Sequence, residues 1–298
     1  MFSEKNIQIP ARSKVPATKL YCKIAQKESM NLGDRPVMIL VPGGPGGNHS
    51  VYLPIVNQLL QFADLVLFDP RGCGNSEPSE AKYCTIDHYI DDIEAIRFYF
   101  NLDKIILLGG SYGSMASLGY AIKYPAHLEK LILLAGAPSY KFIETAKKNL
   151  ERKGTDQQKK AAQKLWNGTF RNAKEFSDFY KIMAPLYSVN SVSAPPTTSS
   201  GIPYNVEVTN LGFSNFLRTF NYENEIEKIT CSTLVIWGED DWINDVYYAK
   251  FIASKIRGST LHIFENCGHF AEEDQPTLFF NALADFFRDS NQPHSSST

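Results

Sequence analysis

Long apolar runs, paired cysteines and a surplus of either charge are all missing from this 298-residue chain. No apolar stretch approaches the ~20 residues that a bilayer-spanning helix needs, so no membrane span is expected. The opening residues, Met1-Phe2-Ser3-Glu4-Lys5-Asn6, lack the apolar core of a secretory signal. Thirty basic residues against 32 acidic ones leave a formal charge of −2, which gives no electrostatic basis for binding nucleic acid or an anionic membrane. The five cysteines (Cys22, Cys73, Cys84, Cys231 and Cys267) are odd in number, scattered and free of C-x-x-C spacing. They read as reduced thiols of a cytoplasmic protein, not as a disulfide framework or a metal site. The Asn48-His49-Ser50 and Asn167-Gly168-Thr169 triplets are then chance matches to a glycosylation signal.

What is present is a chain able to build a large core. Hydrophobic residues make up 43% and aromatic residues 12%, and the length suits one α/β domain carrying an insertion. A weak strand signal near Ile7-Gln8-Ile9 precedes a clearer one, Lys19 to Ala25, where Leu20, Cys22 and Ile24 alternate with Lys19, Tyr21 and Lys23. Pro36 to Val41, Ala63 to Phe68, Lys104 to Leu108, Leu128 to Leu134, Ser232 to Trp237 and Thr260 to Phe264 are short apolar runs. They are predicted as strands buried in a mostly parallel sheet. Helical stretches alternate with them: Val51 to Leu60, Thr85 to Phe100, the segment from Met115, Asp245 to Lys255 and Pro276 to Phe287. This rhythm predicts right-handed crossovers and helices on both faces. It breaks at Pro138. From Ser139 to Lys228 there are amphipathic helical stretches (Phe142 to Lys153, Gln157 to Trp166, Ala173 to Met183) and a loop-like Ser188 to Tyr204, with no buried strand. The predicted organisation is an α/β core of residues 1–138 and 229–298, with a helical cap of residues 139–228 inserted into it. The tail from Asp289 is polar and serine-rich, as expected of a disordered end.

The chemistry is concentrated at Gly109-Gly110-Ser111-Tyr112-Gly113-Ser114, between the Lys104–Leu108 run and the helix after it. Gly109-x-Ser111-x-Gly113 has the spacing of a nucleophile elbow. The chain there turns sharply enough to raise a serine hydroxyl clear of the sheet, over a helix N-terminus that favours developing negative charge. Such a serine needs a base, and the base needs an orienting acid, each just past a later strand in the order Ser, Asp, His. Gly238-Glu239-Asp240-Asp241 follows one late strand and Glu265-Asn266-Cys267-Gly268-His269 the next. Asp241 and His269 are therefore the expected acid and base, with Asp240 and His49 as rivals. The oxyanion hole should combine the N–H of Tyr112 with one from Pro42-Gly43-Gly44-Pro45-Gly46-Gly47, for which Gly44 is favoured over Gly43. That loop lacks the Lys-Ser/Thr ending of a phosphate-binding loop.

Three motifs together carry a family resemblance. Gly43-Gly44-Pro45-Gly46, Asp69-Pro70-Arg71-Gly72-Cys73-Gly74-Asn75-Ser76 and Gly109-Gly110-Ser111-Tyr112-Gly113-Ser114 are similar to H-G-G-P-G, D-x-R-G-x-G-x-S and G-G-S-[WY]-G-S of the proline iminopeptidase branch of the α/β-hydrolase superfamily. The resemblance implies an α/β-hydrolase fold and a serine peptidase without cofactor or metal. Such an enzyme releases an N-terminal residue, often proline, from a small peptide or amide. It departs from the family at Pro42, which stands where the family has histidine. It departs again where the family's carboxylates hold the substrate ammonium: Asn215 occupies the cap position and Trp242 the position after the acid. Glu223 in Tyr222-Glu223-Asn224 is the candidate replacement, its alternative reading being a solvated residue of the cap. With the anchor so weakened, discrimination between free and blocked amines is expected to be small. An esterase or lipase-like hydrolase of small apolar esters is the alternative, and a non-catalytic hydrolase-fold binding protein a more distant one.

Overall fold

In β5 (Ile105–Gly110) and its neighbours, successive buried side chains belong to different cores. Ile105 and Leu107 join one hydrophobic cluster while Ile106 and Leu108 join the other. The period-2 geometry of a strand sends alternate residues to opposite faces, and this strand is apolar on both. The computed structural model describes residues 2–12, 14–28, 31–190 and 201–289. Its strands are β1 (Phe2–Ile9), β2 (Thr18–Ala25), β3 (Val37–Val41), β4 (Asp64–Phe68), β5, β6 (Leu128–Leu134), β7 (Ser232–Gly238) and β8 (Thr260–Phe264). They form one sheet in the order β1-β2-β4-β3-β5-β6-β7-β8. β1–β2 and β2–β4 pair antiparallel and every other pair is parallel. This is the mostly parallel sheet that the alternation of strands and helices predicted, and the α/β-hydrolase fold that the family resemblance implied.

The helices between strands are α1 (Val56–Leu59), α2 (Ile86–Tyr99) and α3 (Tyr112–Lys123), followed after β7 by α8 (Val246–Lys255), α9 (Ala271–Asp274) and α10 (Pro276–Asp289). Between β6 and β7 lie α4 (Phe142–Lys153), α5 (Asp156–Asn167), α6 (Ala173–Tyr187) and α7 (Val206–Ser214). Phe142, Trp166, Phe176 and Phe213 from this inserted run join the larger cluster, whereas Phe279 and Leu283 of α10 join the smaller. The strand order reverses direction at β3, which lies between β4 and β5. An open α/β sheet has its ligand crevice at such a switch point, beyond the carboxyl ends of the strands.

Three local features depart from expectation. The predicted helix Val51 to Leu60 is a 3-10 helix over His49–Ile55 with only a short α-turn, α1, after it. Pro54 inside it has no N–H to give an α-ladder. α6 runs on to Tyr187 with Pro185 inside it, past the predicted end at Met183. α7 was not expected, because Val206-Glu207-Val208-Thr209-Asn210-Leu211-Gly212 is poor in helix formers. The Asn205 side chain, accepting from the N–H groups of Glu207 and Val208, starts it, and burial of Val208 and Phe213 holds it. Residues 191–200 of the predicted loop and residues 290–298 of the predicted tail lie outside the described residues. All five cysteines are free thiols, and no described helix is long and apolar enough to cross a membrane.

Candidate active site

The turn from β5 into α3 places Ser111 at φ 55° and ψ −121°. A residue other than glycine held at positive φ costs roughly 1–3 kcal/mol, and persists only where its surroundings fix it. Here they do. Ser111 N–H donates to Leu134 O at the end of β6 (2.8 Å), and its carbonyl accepts from the N–H groups of Ser114 and Met115 (3.0 and 3.2 Å). Gly110 N–H donates to the Tyr52 hydroxyl (2.9 Å), which donates in turn to Val41 O on β3 (2.9 Å). The flanking glycines answer to close approach: a Cβ on Gly113 would stand 2.0 Å from Val41 O, and one on Gly109 2.4 Å from Gly113 O. Both neighbours are backbone atoms that cannot swing aside. Gly113→Ala is therefore expected to lower stability by about 3 kcal/mol, seen as a lower urea midpoint at unchanged slope. An unchanged midpoint would show that β3 and α3 can part at no cost.

Asp241 and His269 come together beyond the ends of β7 and β8. Asp241 Oδ2 accepts from His269 Nδ1 at 2.7 Å, and both residues are buried. The other carboxylate oxygen, Oδ1, accepts from Ile243 N–H (2.9 Å) and Asn244 N–H (3.0 Å). Asn244 Nδ2 donates to Ala135 O at 2.5 Å, tying this loop to the chain just past β6. With its proton directed at the carboxylate, Nδ1 leaves Nε2 as the ring's acceptor. The histidine loop is held from the insert as well. His269 N–H donates to Tyr187 O (2.6 Å), and the Tyr187 and Phe270 rings stand edge-on to the imidazole at 5.4 and 5.2 Å. Asp274 accepts from Gly268 N–H (2.7 Å), from the Ser188 hydroxyl and from the N–H groups of Val189 and Asn190.

The rivals lie elsewhere. His49 Nδ1 is 2.7 Å from Asp69 Oδ1, both groups being buried, and its backbone N–H donates to the same oxygen. The second oxygen of Asp69 accepts from Asn75 N–H (2.7 Å). The D-x-R-G-x-G-x-S segment is thus a folded loop braced by its own aspartate, with Arg71 held in a buried two-point ion pair with Asp92. Asp240 is exposed, and Lys153 approaches it at 3.4 Å.

Ser111, His269, Gly43, Gly44 and Tyr112 all line one cavity. A Cβ on Gly43 would lie 3.3 Å from Ser111 Cβ, so the glycine loop runs directly beside the serine. Neither Gly43 nor Gly44 uses its N–H in a hydrogen bond among the described residues. Tyr112, at the first position of α3, has no intrahelical acceptor for its own. The cavity wall is mostly apolar and aromatic, with Phe142, Leu165, Phe176, Phe213 and Leu217 arriving from the inserted segment.

None of the three substrate-binding candidates reaches that wall. Asn215 caps the end of α7 with an exposed side chain. Trp242 is fully buried behind the wall, edge-on to Trp166 and Tyr187, with its indole N–H unpartnered. Glu223 is occupied by the Ser139 hydroxyl and the Lys141 ammonium, each at 2.6 Å, where the insert leaves the core. The carboxylates on the wall are instead Glu272 and Glu273 of α9. Sequence reasoning passed over both because α9 is a single turn between the predicted last strand and last helix. Its signal was an acidic run, Glu272-Glu273-Asp274, three residues after the expected base. No group of three or more His, Cys, Asp or Glu among the described residues could hold a metal ion.

A strained serine at a strand-to-helix turn, sharing a switch-point cavity with a histidine paired to a buried aspartate, is the arrangement of an α/β-hydrolase site, and the family model for the alpha/beta hydrolase fold matches residues 36–276. Proline iminopeptidase PfmaB of Pestalotiopsis fici is 34% identical over 243 residues, 79% of this chain and 86% of that protein. The proline iminopeptidase of Saccharolobus solfataricus is 28% identical over 262 residues, 84% of each chain. The crystal structure of the proline iminopeptidase of Mycobacterium smegmatis superposes with a TM-score of 0.72 at 19% identity, over 96% of this chain and 98% of that one, a likeness of fold. The chain belongs to the proline iminopeptidase branch of the α/β-hydrolase superfamily.

Proposed function

We propose that this hydrolase releases an N-terminal residue, proline or a similar one, from small peptides or amides through an acyl-enzyme. The observation that carries the reading is the convergence of Ser111 and the Asp241-paired His269 on one cavity. In this mechanism Ser111 Oγ forms a bond to the substrate carbonyl carbon as its proton passes to His269 Nε2. Tyr112 and Gly44 donate N–H groups to the resulting oxyanion. The C–N bond then breaks and the departing amine takes the proton from Nε2. Water repeats the sequence: its oxygen bonds to the acyl carbon, its proton goes to Nε2, and the acyl–Oγ bond breaks with that proton returned to Ser111. Asp241 fixes the imidazole tautomer and stabilises the imidazolium. Residues 139–228 act as a cap that supplies most of the apolar wall, and the free thiols favour a cytoplasmic location.

The aromatic wall also suits the acyl group of a small apolar ester, which is the second reading. The test is a panel of kcat/KM values for prolyl and alanyl arylamides set beside short and long acyl esters. The expected result is turnover of the prolyl arylamide at least tenfold above the long-chain ester. Ester turnover alone would transfer the enzyme to the second reading, and no turnover of any substrate would leave a binding protein.

A further inference from the structure

A carboxylate partly withdrawn from water gains from a partner, and Glu272 has none among the described residues. It is half-buried in the cavity wall that also holds Ser111 and His269. Apart from its own backbone N–H, no donor among the described residues approaches its side chain. No lysine or arginine lines the cavity among those residues. Two nearby carboxylates are engaged, Asp241 by His269 and two N–H groups and Asp274 by the loop it pins, while Glu273, which also lines the wall without a side-chain partner among the described residues, is exposed to solvent. Leaving a carboxylate beside a nucleophile in an aromatic cavity without a counter-charge is costly unless the counter-charge arrives with the ligand.

We propose that Glu272 is the specificity-determining residue of this site: it receives the ammonium group of the substrate, from the helix turn that follows the histidine. The proposal rests on the aminopeptidase reading for its biological meaning but concerns ammonium recognition, whichever acyl bond is cleaved. It replaces the expectation of weak amine discrimination, which was drawn from Asn215 and Trp242, neither of which lines the cavity.

Glu272 also makes the selectivity depend on pH. Desolvation pushes its carboxyl up to about 7. Glu273 and Asp274 on the same turn raise it further, while its own N–H and His269 oppose the shift. Tyr52 faces it from the 3-10 helix, with Tyr180, Tyr187 and Tyr204 across the cavity; burial drives all four phenols up, so they stay neutral in this range. Glu273, on the exposed edge, is also raised by burial and by Asp274. Below about 7 Glu272 carries a proton and offers no charge to an ammonium; above it, the carboxylate attracts one.

The experiment compares kcat/KM for proline methyl ester with that for N-acetylproline methyl ester, so it does not require amide turnover. The ratio between two substrates on one preparation cancels the active fraction and the protonation state of the triad. In wild type the free-to-blocked ratio should rise at least fivefold between pH 5.5 and 7.5, below the ~7.7–8.0 at which an α-amine loses its own proton. Glu272→Gln should flatten that rise and lower the ratio at least tenfold at pH 7.5, mainly through KM of the free amine, while Glu272→Asp retains part of it. A flat wild-type ratio, a Glu272→Gln ratio within twofold of wild type, or a loss confined to Glu273→Gln would each overturn the assignment. The wild-type pH series stands even where the Gln variant fails to fold. Failure of the prolyl arylamide panel with this ester ratio intact would sink the peptidase reading and leave Glu272 in its role.

Discussion

Ser111→Ala is expected to reduce kcat by roughly 10⁵–10⁶-fold and to abolish labelling by a fluorophosphonate probe. The side chain stands at positive φ with its backbone tied to β6, so no neighbouring hydroxyl can occupy its place. Ser114, three residues on, is fully buried beneath the turn, and Ser117 donates to Gly113 O. Alanine lacks only Oγ, so the fold should survive and the thermal midpoint should change little. Equal labelling of wild type and variant would remove Ser111 from the chemistry. Labelling lost together with folding would leave the matter to Ser111→Cys, which keeps a nucleophile at the same turn.

Asp241→Asn is expected to lower kcat by about 10⁴-fold, with a much smaller change in KM. Asparagine can still accept from Ile243 and Asn244 through its carbonyl, so the loop should keep its shape. Its amide would then face His269 Nδ1 with a donor where the carboxylate offered an acceptor. The ring would have to place its proton on Nε2, and a protonated Nε2 cannot accept one from serine. Asp240→Asn is the control: that side chain lies exposed beside Lys153, and activity should stay within twofold of wild type. If Asp241→Asn kept more than a tenth of the wild-type kcat while Asp240→Asn lost it, the acid would be reassigned.

The sheet and the loops that follow its strands were legible because they depend on local pattern. An apolar run such as Lys104 to Leu108 has few ways to be satisfied other than a two-faced strand, and glycines around a serine admit few turns. Strand order also singled out Asp241, which the fold pairs with His269. His49 shows the limit: it sits near the glycine loop in sequence, and only three-dimensional structure reveals that Asp69 occupies its ring nitrogen. The cavity wall was not legible, since it is assembled from residues far apart in the chain whose facing depends on how the inserted helices lie. Glu223 looked available in sequence, yet Lys141, 82 positions away, claims it. Glu272 carried no signal in the sequence beyond an acidic run, and only the fold brings it to the cavity that Ser111 also lines.

Ser111, Asp241 and His269 are not anchored alike. The serine and the acid are both fastened to the end of β6, through Leu134 O and Ala135 O, within the permanent core. The histidine loop is fastened to the insert, through Tyr187 O and the Asp274 contacts with residues 188–190. The segment that supplies most of the apolar cavity wall therefore also steadies His269, the base of the proposed mechanism. Exchanging that segment for one from a related enzyme, the obvious route to a new substrate range, would disturb the base along with the chamber. A lineage diversifying by such exchanges has to conserve the carbonyl of residue 187 and the small turn after it, or lose its rate each time it changes its diet.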